Sequence, residues 1–187
     1  MEQIVSHLST QRKNLKQADQ LGDPGRISAM IDVALISLYN RLSNRIDVDL
    51  KEIRRSGAIL ATGEFGRRHL GPFSPITLLF LQTSDAPFEE EAWRINIVQP
   101  LEQAGWDVQF QTATKEEAVK LGLNNFDWLG GILDSRFISG SRTLVDDLRL
   151  LLLRELDSNR DWQSIRMFLE EWQQRQNSQG DPAVILE

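Results

Sequence analysis

The sequence predicts an α+β (mixed α/β) fold, a small sheet flanked by helices. Three observations carry that expectation. A long amphipathic stripe occupies the chain before residue 50, short apolar or alternating runs fall between residues 58 and 111, and helical spacing returns from residue 114.

The first fifty-odd residues read as helical. Asp23-Pro24 supplies an N-cap followed by proline at the first helical position. Ile27, Ile31, Ala34, Leu35, Leu38, Leu42 and Ile46 then recur at three- and four-residue spacing, and Gly57 ends the pattern. Residues 58–62 (AILAT) are short, apolar and followed by glycine, which reads as a buried strand, and residues 76–82 (ITLLFLQ) read the same way. Residues 88–104 return to helix, with Glu89, Glu90 and Glu91 in the first turn, where carboxylates complement the helix dipole, and Gly105 closes it. Residues 106–111 (WDVQFQ) alternate as a strand with one covered face. Thr114-Lys115-Glu116-Glu117 is a capping box that starts another helix. Apart from a short extended piece at 136–139, the remainder reads as helical. It includes residues 143–156, and residues 161–176 with Trp162, Ile165, Phe168, Leu169 and Trp172 on one stripe. This divides the chain into a helical segment at 1–55, an α/β core at 56–142 and a helical extension at 143–187.

Bulk properties exclude several classes. The 187 residues are 41% hydrophobic and 26% charged, enough to bury a real core. A formal net charge of −6 argues against nucleic-acid binding, which needs a basic surface. Without cysteine there is no disulfide scaffold, thiolate metal site or cysteine nucleophile. The first residues, MEQIVSHLSTQRKN, lack the apolar core of a signal peptide, and the longest apolar run, residues 150–153, is too short to span a bilayer. A cytoplasmic protein with no membrane partner is expected.

The chemistry-bearing stretch is residues 63–81, GEFGRRHLGPFSPITLLFL. Gly63 and Gly66 let the backbone turn sharply and approach a ligand, and Arg67 offers a bidentate phosphate contact, with Arg68 and His69 beside it. On spacing alone two readings stand: a phosphate site, or a tight connection whose arginines are solvated.

The longer pattern resembles the nucleotidyltransferase domain of the bacterial PII uridylyltransferase/uridylyl-removing enzymes, whose motif runs G-G-x-G-R-x-E-L-x-P-x-S-D-x-D-L-L. Gly63, Gly66, Arg67, Leu70, Pro72, Ser74, Leu78 and Leu79 fall in register with it. Gly105 to Val108 followed by Thr114 to Glu117 looks like the next strand and helix of that family. Leu133 to Gly140 looks like its L-x-x-R-x-L-x-G segment. Residues 180–187 (GDPAVILE) are similar to a stretch that continues in the family, so a fragment of a longer polypeptide is expected. The resemblance implies a polymerase-beta-like sheet and a nucleotide or phosphate site at Gly63, Gly66, Arg67 and Ser74.

It also exposes a departure. The family's two metal-binding aspartates fall here on Pro75 and Thr77. Proline has no side-chain ligand and threonine offers only a neutral hydroxyl, whereas Mg²⁺ requires hard, usually carboxylate, oxygens. Glu64 lies on the loop, and Asp107 falls on the polar face of the third strand with Gln109 and Gln111. Phe110 and Ala113 stand where the family has polar residues, so that Phe110 is expected to put an apolar ring into the site. The expectation is therefore a nucleotidyltransferase-like domain without catalytic residues, metal or cofactor. It would act as a regulatory or scaffolding module that retains nucleotide triphosphate binding, with a PII-like protein or further domains of its own chain as partner. One alternative is an active Mg²⁺-dependent enzyme using Glu64 or Asp107. Another is an interaction module dimerising through residues 148–172.

The other features are weaker. His7 and His69 have no partner at metal-ligand spacing, and no G-x-S-x-G elbow is present. Trp93, Trp106, Trp128, Trp162 and Trp172 mostly fall on apolar stripes and read as packing. Residues 148–153 (LRLLLL) are apolar nearly all round, which fits a buried helix or an interface.

Overall fold

The computed structural model describes residues 2–17, 23–46, 50–71, 73–86 and 90–158, with Met167, Glu170 and Gln174. Apart from those three residues the expected helix at 161–176, with Trp162 and Trp172, and residues Pro72, Phe88, Glu89 and 180–187 lie outside the described residues.

The stripe starting at Ile27 sets the first layer. Helices α1 (Glu2–Gln17), α2 (Pro24–Ile46) and α3 (Leu50–Ser56) lead into strand β1 (Gly57–Ala61). Ile27, Ile31, Leu35, Leu38 and Leu42 of α2 are all buried and share one core with Ile59 and Ala61 of β1. Ser28, buried within that helix, satisfies its hydroxyl by donating back to the Pro24 carbonyl at 2.8 Å. Tyr39, fully buried, donates its hydroxyl to the Gly57 carbonyl at 3.1 Å. Burial pushes its ionisation far above the ordinary phenol range, against an opposing pull from the Arg54 charge.

After β1 come a single turn, α4 (Gly63–Gly66), and strand β2 (Ile76–Gln82), then α5 (Glu90–Trp93), a π-helical turn (Arg94–Val98) and α6 (Gln99–Gln103). Strand β3 (Val108–Ala113), helices α7 (Lys115–Asn124) and α8 (Phe126–Leu133), strand β4 (Arg136–Gly140) and helix α9 (Arg142–Ser158) complete the order. The four strands form one mixed sheet in the order β3-β2-β1-β4. β1 runs antiparallel to β2 and β4, and β2 runs parallel to β3.

Because side chains alternate along a strand, the sheet carries two cores. Ile59, Ala61, Ile76, Leu78 and Phe80 face α1, α2 and the α5–α6 segment. Ala58, Leu60, Leu79 and Leu81 face α7, α8 and α9, where Leu148, Leu152 and Leu156 are buried. The architecture is α+β, as expected. The capping box forms as read: Thr114 Oγ1 accepts from the Glu117 amide at 3.2 Å, and Glu117 accepts from the Thr114 amide at 2.9 Å.

Several elements differ from the sequence reading. β3 starts two residues later, because Trp106 belongs to the end of α6. Gly105 turns at φ +88 and donates to Glu102, Trp106 donates to Leu101, and the Trp106 ring is buried beneath the Arg12 guanidinium. A shift of two leaves each residue on its face, so Gln109 and Gln111 stay exposed. The run at 88–104 is not one regular helix. Pro100 cannot donate to the carbonyl four residues back and its ring crowds that turn, and the helix widens into the π turn just before it. The stretch after Thr114 breaks at Asn125, whose side chain accepts from the amides of Asp127 and Trp128 and starts α8. Residues 148–153 are not buried all round, since Leu150 and Leu153 are 55% and 46% exposed. Among the described residues no helix is long and apolar enough to cross a membrane.

Trp93 joins these layers. It stacks on Phe80 at 4.7 Å between ring centroids and on Tyr39 at 6.0 Å, and its Nε1 donates to Gln82. Trp93→Ala is expected to cost about 3–5 kcal/mol in urea unfolding. Ile95→Ala, at an exposed position of the same segment, is expected to cost less than about 1 kcal/mol.

Candidate functional site

The directions of pairing bring the end of β1 together with the starts of β2, β3 and β4. Gly63, Glu64, Gly66, Arg67, Ser74, Pro75 and Thr77 lie at this end of the sheet. Two further segments reach it: Asp107 precedes β3, and Asp134 precedes β4.

The loop is an ordered turn of helix. Gly63 sits at φ +57, and the amides of Gly66 and Arg67 donate to Thr62 and Gly63. Gly66 has no room for a side chain: a Cβ would lie 2.7 Å from the Asp134 carbonyl and 3.0 Å from that of Ala61. A four-residue helix cannot satisfy its own last carbonyls. Here Arg136 takes them, with Nε donating to Gly66 at 3.2 Å and Nη2 to Phe65 at 3.2 Å. The same guanidinium holds Asp32 of α2 through both oxygens, at 2.7 and 3.0 Å, and lies 5.3 Å from the centre of the Phe65 ring. Arg136 thereby joins α2, α4 and β4.

Arg67, expected as a phosphate contact, is engaged inside the protein. Its Nη1 lies 2.6 Å from Asp134 Oδ2, and the Asp134 side chain is only 5% exposed. Arg68 is exposed at φ +63, and the half-buried His69 donates its amide to the Glu64 carbonyl. His7 lies on the exposed face of α1.

On the β2 side, Thr77 and Thr62 are paired twice: the Thr62 amide donates to the Thr77 carbonyl, and the Thr77 hydroxyl donates to the Thr62 carbonyl. The Ser74 hydroxyl donates to Glu64 Oε2 at 2.6 Å. Pro75 falls between Ser74 and the first residue of β2. Asp107 is exposed, and its carbonyl receives the Ile76 amide at 2.8 Å. Phe110 does not project into this cluster. It packs in the opposite core, 5.6 Å from Phe80, because it shares its face of β3 with Val108; Ala113 is buried in the second core.

The donor set does not fit Mg²⁺. Residue 75 is a proline, the Thr77 hydroxyl is neutral and already donated, and the Glu64 carboxylate holds Ser74. Among the described residues no three His, Cys, Asp or Glu side chains cluster so as to hold a metal ion. Asp32 had no assigned role in the sequence reading. Its only signal there is that it is the one acidic residue of the helical stretch 24–46, between Ile31 and Val33.

No protein-family model matches the chain. Curated relatives do. The chain is 30% identical over 132 residues to a bifunctional uridylyltransferase/uridylyl-removing enzyme of Ruegeria pomeroyi, covering 68% of this chain and 14% of that protein. It is 30% identical over 133 residues to that of Caulobacter vibrioides (69% and 14%), and 28% identical over 134 residues to that of Cereibacter sphaeroides (70% and 14%).

The geometry separates an interior clasp from an exposed contact. Asp32→Ala leaves the Arg136 charge half-buried without its carboxylate and is expected to cost roughly 2–4 kcal/mol. Glu64→Ala removes one exposed hydrogen bond and is expected to change stability by less than about 1 kcal/mol. Urea unfolding of the two variants checks the contrast, which equal losses would contradict.

Proposed function

The chain belongs to the uridylyltransferase/uridylyl-removing enzyme family, matching 14% of the length of those relatives, and from that premise we propose that it is a non-catalytic nucleotidyltransferase-like domain. In this reading it serves in the cytoplasm as a regulatory or scaffolding module. Its partner is a protein surface, either a PII-like regulatory protein or further domains of a longer chain.

One observation carries the reading. The residue before β2 and the second residue of β2, where the resemblance expects metal-binding aspartates, are Pro75 and Thr77, and the Thr77 hydroxyl is spent on Thr62. Nucleotidyl transfer needs divalent cations to offset charge as pyrophosphate leaves, and that charge has no carboxylate pair to hold it here. The phosphate-contact role of Gly63, Gly66, Arg67 and Ser74 is retained as a frame. Nucleotide binding through Arg67 requires that side chain to leave Asp134.

Labelled UTP with Mg²⁺ and a PII-like acceptor is expected to give no incorporation, and calorimetry is expected to give only weak UTP binding with no dependence on Mg²⁺. Mg²⁺-dependent binding together with transfer would overturn the proposal. If that transfer were then abolished by Glu64→Gln with Asp107→Asn, the enzyme alternative would stand in its place.

A second reading rests on Leu150 and Leu153, exposed nearly one turn apart on α9. They supply an apolar strip through which the module could self-associate. Light scattering at high protein concentration is expected to report a dimer in that case, and a monomer would remove the reading.

A further inference from the structure

The mouth of the loop carries an anion of its own. Glu64 stands where the family motif has its second glycine, and its carboxylate lies 2.6 Å from the Ser74 hydroxyl. That length belongs to a charge-assisted O–H···O⁻ bond, and a serine hydroxyl has one proton to give. While Glu64 accepts it, Ser74 cannot donate to an incoming phosphate.

The neighbouring donors are also engaged, but differently. The Thr77 hydroxyl is tied to Thr62 across the β1–β2 ladder, and Nη1 of Arg67 is tied to the buried side chain of Asp134. Both contacts are built into the sheet and the β4 approach. Glu64 is exposed and its side chain rests on the Ser74 hydroxyl at the loop surface, so its carboxylate can leave without disturbing either core.

We propose that Glu64 is an internal anion that occupies the Ser74 hydroxyl and closes the loop to phosphate-bearing ligands. The proposal rests on the non-catalytic reading, in which the loop is a binding frame without a metal. Its effect is electrostatic as well as competitive. Even at the dielectric of water, each phosphate charge about 4 Å from the carboxylate weakens binding roughly fivefold. A polyphosphate would have to displace Glu64 from Ser74 and then tolerate its charge.

Calorimetry with inorganic tripolyphosphate, in the absence of divalent metal, tests this on the full chain. Glu64→Ala is expected to bind at least about tenfold more tightly than the unaltered protein, since it removes both repulsion and competition. Glu64→Gln, which keeps the size and an acceptor but not the charge, is expected to fall between them, and Glu64→Ala with Ser74→Ala to lose the part of the gain that comes from freeing Ser74. Circular dichroism establishes that each variant is folded. Tight binding by the unaltered protein, no gain in Glu64→Ala, or a gain undiminished by removal of Ser74 each overturns the proposal. None of these readings involves metal or transfer, so they are distinct from a failure of the non-catalytic reading, which would register as Mg²⁺-dependent UTP transfer.

Discussion

Arg136 holds the site end of the molecule together. One guanidinium takes both oxygens of Asp32 on α2 and the last two carbonyls of α4. The two ends of this contact support each other. A four-residue helix cannot satisfy its own carbonyls, and a partly buried arginine needs a carboxylate to offset its desolvation. Arg67 and Asp134 repeat the logic one step away, tying the residue after α4 to the residue two before β4. The glycine loop is thus pinned by two arginine–carboxylate pairs, and Gly66 allows that approach because a Cβ would strike the Asp134 carbonyl.

That arrangement bears on function through the availability of donors. A phosphate or metal site depends on groups held in place but not yet used. Here Thr77 donates to Thr62, Ser74 to Glu64 and Arg67 to Asp134. Each of these three side chains thus has a partner within the protein. Two positions decide whether the frame can hold a cation, and they carry a proline and a neutral hydroxyl. A single exposed carboxylate at Asp107 does not replace a pair on one strand face.

Much of the fold was legible because burial writes a period into sequence. The α2 stripe, the apolar β1 and β2 runs and the Thr114–Glu117 box are local patterns, and the structure contains them. The pairs that fix the site are not local. Asp32 and Arg136 lie 104 positions apart, and Arg67 and Asp134 lie 67 apart, so neither leaves a periodic trace. Arg67 therefore read as a ligand contact, although the fold places a carboxylate against it. Phe110 read as an intruder in the site because the resemblance sets a polar residue at its position, although the alternation of β3 already puts it with Val108 on the covered face. The π turn escaped for another reason: Pro100 sits inside an apolar spacing that otherwise looks helical.

Paramagnetic Mn²⁺ is the sharpest probe of whether the positions of Pro75 and Thr77 can hold a metal ion. Manganese should leave the amide NMR signals of residues 62–77 unbroadened in the unaltered protein and broaden them in the Pro75→Asp, Thr77→Asp variant, where two carboxylates again share a strand face. Equal broadening of those signals in the unaltered protein would contradict the account.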